Sequence, residues 1–195
     1  MTTTTATPQD DPMREQLRRM GLLRMSEVYA EILARAAKEG TGFRQILERL
    51  VDEESRARLE RRIARRIKDA RVPVHKTLDS FDWKVPRRIN REQILGLFDL
   101  SFVEQKRNVC FIGRSGVGKT HLATALALEA CRRDRRVLFT TAVDIVNQLQ
   151  AAQSDGTFVR RLKNYISPDC LLIDELGFLA IDRHGADLLF QVISG

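Results

Sequence analysis

Residues 113–120 read Gly-Arg-Ser-Gly-Val-Gly-Lys-Thr, a complete G-x-x-x-x-G-K-[ST] pattern. Those residue types at that spacing suit the phosphates of a nucleoside triphosphate such as ATP. Gly113, Gly116 and Gly118 let the backbone curl. The N–H groups of Gly113, Arg114, Ser115, Gly116, Val117 and Gly118 are then expected to face the phosphates, beside the positive end of the following helix. Lys119 is expected to reach the β- and γ-phosphates, and the Thr120 hydroxyl to hold Mg²⁺. The pattern becomes a site only between a strand and a helix. The apolar run Val109-Cys110-Phe111-Ile112 predicts the strand, and Leu122 to Cys131 the helix.

Fifty residues on, Cys170-Leu171-Leu172-Ile173 is an apolar run ending in Asp174-Glu175. Runs of this length suit a buried parallel strand. At the strand's end Asp174 is placed to orient Mg²⁺. Glu175 stands one residue further, where a carboxylate can polarise the attacking water. The same pattern also fits a strand that simply leaves the core into a polar turn. The preceding phosphate loop favours the catalytic reading, with Lys119 and Glu175 as the catalytic pair.

The elements that must position these groups are legible in outline. From Met13 to about Lys38, Leu17, Met20, Val28, Ile32 and Ala36 recur at helical steps, with Gly21 a possible break. Gly40-Thr41-Gly42 ends that segment. A helical period resumes at Phe43, Ile46, Leu47, Leu50 and Val51, and continues through Leu59, Ile63, Ile67 and Ala70. Val72-Pro73 stops it, because proline lacks the N–H and disfavours helix in its predecessor. Residues 13–71 therefore read as a helical N-terminal module, preceded by a Thr-rich tail over 1–12 expected to be disordered. Residues 72–107 read as a connector containing Trp83, expected to pack at a core edge. After the phosphate-loop helix come a strand at Val137-Leu138-Phe139, a helix over Ala142 to Ala152, another marked by Phe158, Leu162 and Ile166, and a last one from Gly185 to Ser194. Strands alternating with helices imply an α/β fold with a parallel sheet covered on both faces.

Arg56, Arg58, Arg61, Arg62, Arg65, Arg66, Lys68 and Arg71 crowd the end of the N-terminal module, with Glu60 and Asp69 the acids among them. On a helical wheel Arg61, Arg65 and Lys68 lie opposite Leu59, Ile63 and Ile67, with Arg62 and Arg66 flanking. A basic stripe behind an apolar one suits DNA phosphates; a structural or inter-subunit role fits the same pattern. No aromatic residue interleaves, which argues against base stacking. The formal net charge of +7 over 195 residues also asks for a polyanionic partner.

Composition excludes several classes. No apolar run approaches the roughly 20 residues that span a membrane. The N-terminus lacks a secretion-signal pattern. Cys110, Cys131 and Cys170 fit no zinc or redox spacing and read as small core residues in a reducing cytoplasm. His75, His121 and His184 form no metal set.

Several blocks occur here in one order: Thr77-Leu-Asp-Ser-Phe-Asp82, the phosphate loop with Gly118-Lys-Thr-His-Leu-Ala123, Phe139-Thr-Thr-Ala-Val-Asp144, Leu172-Ile-Asp-Glu-Leu-Gly-Phe178 and Leu188-Leu-Phe-Gln-Val-Ile-Ser194. Together they resemble the IstB-type transposition helper ATPases, relatives of the DnaC helicase loaders within the AAA+ group, from about residue 14 onward. The resemblance implies a P-loop ATPase core over 108–195 that assembles as an oligomer on DNA, bends it and stimulates a partner transposase. The N-terminal module would supply partner and DNA contacts. His121 matches the family position after the loop threonine, while a plain helix-start role stands beside it. A DnaC-like helicase loader uses the same core, and a non-hydrolysing interaction module is the alternative from another class.

Such proteins continue past the Ile-Ser segment, whereas this sequence stops at Gly195. The resemblance implies an arginine finger, a sensor asparagine and a further strand beyond it. In the AAA+ strand order 5-1-4-3-2 that strand lies between the phosphate-loop strand and the Asp174 strand. The expectation is therefore a C-terminally truncated core with a gap in its sheet, weak nucleotide binding and poor hydrolysis.

Overall fold

The computed structural model describes residues 11–74, 76–84, 89–177 and 182–195. The expected tail up to residue 10, His75, and the end of the Leu172–Phe178 block lie outside the described residues. The chain divides into two compact units, Met1–Arg62 and Ile63–Gly195.

The first unit is helical. Helix α1 (Pro12–Arg19) starts inside the stretch expected as tail: the Asp11 side chain accepts the Met13 N–H, and Pro12 sits in the first turn, where its missing N–H costs nothing. Gly21, at φ 72°, separates α1 from α2 (Leu23–Glu39). Gly40 closes α2 in the left-handed region at φ 66°, as a glycine can without steric penalty. Helix α3 (Phe43–Asp69) is continuous, and the boundary between the units falls within it, between Arg62 and Ile63. Between α2 and α3 lies Glu54, only 4% exposed. Its carboxylate accepts from the Met25 N–H at 2.9 Å, Arg58 Nε at 3.1 Å and Arg61 Nη2 at 2.9 Å.

The second unit mixes helices and a small parallel sheet. After α3 come a 3₁₀ turn at Leu78–Ser80, α4 (Arg91–Leu97), α5 (Ser101–Glu104), α6 (Lys119–Arg132), β1 (Val137–Thr141), α7 (Ala142–Ser154), α8 (Phe158–Ile166), β2 (Cys170–Asp174) and α9 (Arg183–Ser194). Strands β1 and β2 pair in parallel, from Val137 opposite Cys170 to Thr141 opposite Asp174. Their side chains alternate as a strand period of two requires. Val137, Phe139, Cys170 and Leu172 pack with Leu126, Ala127, Ala130 and Cys131 of α6. Leu138, Leu171 and Ile173 pack on the opposite layer, where Ile145 and Leu149 of α7 meet Leu188 and Val192 of α9. Helices on both faces thus cover the two strands.

The run Val109–Ile112 departs from expectation. It forms no regular element and carries no ladder bond, and the sheet among the described residues is β1 and β2 alone. Phe111 packs with Phe81, Ile94 and Leu122. Ile112 is 91% exposed and Cys110 is exposed, so Cys110 is not the core residue its neighbours suggested. A parallel strand needs a neighbour on each side to satisfy its backbone groups. Apolar residues alone do not supply one.

Candidate functional site

The phosphate-loop residues open α6. Gly116 and Gly118 adopt φ of 80° and 90°, a region costly for any residue with a Cβ. Gly118 has a second reason to be glycine: a Cβ there would stand 2.6 Å from Cε2 of Phe81. Helices α1, α4, α7 and α9 each have a side chain capping their first turn, from Asp11, Asn90, Thr141 and Asp182. Helix α6 has none. Its leading N–H groups are left for another acceptor, as at anion-binding helix starts.

Two charged groups converge on this point. Lys119 Nζ donates to the carbonyls of Gly113 at 2.9 Å and Arg114 at 2.8 Å, so the ammonium is folded against its own loop. Thr120 Oγ1 donates to Asp174 Oδ2 at 3.0 Å. The backbone N–H of Glu175 donates to Asp174 Oδ1 at 2.9 Å. The geometry thus brings Thr120 from the start of α6 against Asp174 at the carboxyl end of β2, where ligands of open α/β sheets bind. Glu175 follows in the left-handed region at φ 59°, an uncommon conformation for a non-glycine residue.

His121 is turned to the segment before the loop. Its Nε2 lies 2.8 Å from the Thr77 carbonyl and 3.3 Å from Ser80 Oγ. A carbonyl only accepts, so this bond requires the proton on Nε2. Phe81 meets the His121 ring edge-on at 5.2 Å and the Trp83 ring at 4.9 Å, and Arg91 lies 5.0 Å over Trp83. Residues 77–83 therefore form a wall beside the loop, with a cavity of about 340 Å³ lined by Leu78, Asp79, Trp83, Arg91 and Leu95. Phe81 was not among the expected site residues. The signal was present, since a glycine at 118 and an aromatic at 81 are compatible with close approach, but no local pattern links positions so far apart.

As to Mg²⁺, no group of three or more His, Cys, Asp or Glu side chains that could hold a metal occurs among the described residues. Thr120 and Asp174 nonetheless offer the oxygen donors this hard cation prefers. Mg²⁺ usually takes one or two protein ligands and completes its shell with phosphates and water. The residues fit that role. Thiol chemistry does not fit: burial pushes the Cys170 thiol up to about 11, and Cys131 is also raised, by burial first.

The expected DNA-contact residues divide. Arg61 is held on Glu54, and Arg66 Nε donates to Asp134. Arg65 and Lys68 are exposed and have no acidic partner among the described residues. Arg62 is exposed as well. Glu53 and Glu54 thus join the acids that face this stretch, Glu53 reaching Arg56 at 3.3 Å.

Known proteins extend the picture. Residues 15–195 match the family described as IstB-like ATP binding protein. A relative from Geobacillus stearothermophilus, named for insertion sequence IS5376 and for ATP binding, is 35% identical over 182 residues, 93% of this chain and 72% of its own length. A second, named for IS232 of Bacillus thuringiensis subsp. berliner, is 34% identical over 88% of this chain and 69% of its own. A third, named for IS21 of Pseudomonas aeruginosa, is 34% identical over 91% and 67%. With its loop, its strand-end carboxylate and these matches in agreement, the chain belongs to the IstB-like ATP-binding protein family.

Proposed function

We propose that this chain is an ATP-binding, DNA-associated helper of transposition, built on an AAA+ type core, that uses ATP binding and hydrolysis to remodel target DNA and stimulate a partner transposase. The observation that carries the nucleotide part is the meeting of the uncapped α6 start, Lys119 and the Thr120–Asp174 pair at 3.0 Å. The insertion-sequence names of the relatives support the setting. The family resemblance supports oligomeric assembly on DNA in the cytoplasm.

In this reading the loop N–H groups of residues 113–118 bind the phosphates, and Lys119 exchanges the carbonyls of Gly113 and Arg114 for phosphate oxygens. That exchange replaces neutral acceptors by charged ones, which bind an ammonium about twice as strongly. Thr120 and Asp174 would hold Mg²⁺, which neutralises charge on the phosphates when bound. Glu175 accepts a proton from, and orients, the water that attacks the terminal phosphate. Arg65 and Lys68, with Arg62 beside them and Arg61 and Arg66 already carrying acids, contact DNA phosphates.

Calorimetric titration with ATP and Mg²⁺ tests the nucleotide part. Wild type should bind, and Lys119→Ala should weaken binding at least about tenfold. Equal affinity in the two proteins would remove Lys119 from the site and the nucleotide reading with it. For the partner, the purified protein should capture the transposase of its own insertion sequence. Capture of a replicative helicase instead would make it a loader.

A further inference from the structure

At the outer edge of β1, away from the phosphate loop, the second unit holds a cavity of about 390 Å³. Two arginines line it, Arg71 and Arg161, together with Tyr165, Gln148 and Asn164. Neither arginine has an acidic partner within ion-pair distance among the described residues. The contrast with their neighbours is sharp: Arg133 is held on Glu129, Arg135 on Glu104, Arg136 on Asp169 and Arg66 on Asp134.

Arg71 stands where glycine is the usual occupant. It follows the last turn of α3 at φ 56°, the left-handed position that closes many helices. Ala70 and Val72 on either side are buried, and the Ala70 carbonyl accepts the Phe139 N–H of β1 at 2.8 Å. The backbone is thus bonded to the sheet edge on one side and anchored by a buried Val72 on the other, and the strained residue between lines the cavity. Strain kept at a non-glycine residue points to a use for the side chain. On the facing wall stands Tyr165, 5% exposed as a residue. Burial pushes this phenol up; Arg161 and then Arg71 act against that, while Asp144 acts with the burial.

Charge narrows the ligand. Asp69 also lines the cavity, Asp144 acts on the Tyr165 phenol and Asp155 interacts with Arg161, so the two guanidinium groups stand among carboxylates that disfavour a phosphate dianion. A monoanionic phosphodiester, whose two free oxygens suit guanidinium forks with amide donors, is the fitting class. We propose that this cavity is a binding site for a backbone phosphodiester of DNA, gripped by Arg71 and Arg161 and reached by the Tyr165 hydroxyl. The site rests on the DNA-associated reading above, and it is separate from the contacts assigned to Arg65 and Lys68.

Anisotropy of a labelled 30-base-pair duplex, measured over a range of salt, tests it. Arg71→Gly is an unusual probe, because glycine relieves the backbone while removing the guanidinium. Its melting temperature should equal or exceed that of wild type. The Arg71→Gly/Arg161→Ala protein should bind the duplex on the order of tenfold more weakly, with the log affinity against log salt slope shallower by about one. Tyr165→Phe should show a smaller loss with the slope unchanged. A wild type that binds while the double variant keeps its affinity and slope overturns the site and leaves DNA association standing. A wild type that does not bind DNA removes that reading and this site together. Phenylglyoxal labelling read by mass spectrometry identifies the ligand: the duplex should protect Arg71 and Arg161. Protection by inorganic phosphate and none by the duplex would make this a pocket for free oxyanions and overturn the proposal.

Discussion

Two carboxylates, Glu54 in the helical unit and Asp174 at the end of β2, receive hydrogen bonds in opposite ways. Glu54 is 4% exposed and takes one backbone N–H and two guanidinium donors. Its charge is consumed inside the unit. Asp174 is half-buried and takes two neutral donors, the Thr120 hydroxyl and the Glu175 N–H. No Lys or Arg pairs with it among the described residues. Its orientation is fixed while its charge remains available to a cation. The difference shows how one residue class serves as a clamp in one place and as a ligand in another, and what decides is whether cations already surround it.

The comparison breaks most visibly at Asp174. Asp174→Asn keeps the size and one acceptor but removes the charge. Hydrolysis dependent on Mg²⁺ should fall by about 10- to 100-fold, while the melting temperature should move little, since stability changes by roughly 0.5 kcal/mol or less away from buried networks. Turnover with added Mg²⁺ and a thermal melt on the same sample check both halves. A large loss of stability would make Asp174 a clamp like Glu54 and erase the contrast.

Glu54→Gln is the mirror experiment. Gln can still accept the Met25 N–H but no longer balances Arg58 and Arg61, whose side chains are about half exposed. That exposure lets water recover part of the loss, so the cost should be about 1–3 kcal/mol. ATP turnover per folded molecule should be unchanged. Circular dichroism melts of the variant beside wild type measure the first effect. Wild-type stability in Glu54→Gln would show that the carboxylate is incidental.

How much of this was legible in the sequence depends on how local each signal is. The loop, the helix opening at Lys119 and the strand ending at Asp174 are written in consecutive residues, and the structure forms α6 and β2 there. Arg58 stands four residues after Glu54 and Arg61 seven, a one-face helical spacing open to reading beforehand. The burial of Glu54 by α2 was not. Val109–Ile112 has the composition of a buried strand, yet pairing is decided by what lies alongside, and neither β1 nor β2 does. The Arg71–Arg161 cavity joins residues ninety positions apart. Its one local trace, an arginine where a helix stop favours glycine, shows only once φ is known.

The smallest effect is a pH dependence, and its sign follows from the Glu54 environment. Burial alone would raise this carboxyl, but the Met25 N–H, then Arg58 and Arg61, outweigh it and hold the group below its ordinary value of 4.5. A carboxyl depressed in the folded state binds fewer protons there than in the unfolded chain, so stability rises with pH across the window between the two values. The contribution is complete above about 4.5, declines as pH falls through that value toward the lower folded one, and is absent below both. Melting curves of wild type at descending pH should therefore show an acid loss that Glu54→Gln lacks in part, because glutamine has no proton to gain. Asp99 and Asp155 are also depressed, by bonds to Ser101 and Thr157, and remain in both proteins, so the difference between the two curves isolates Glu54. A difference that stayed constant from neutral pH to below 4 would mean that the clamp acts through packing and that its charge contributes nothing.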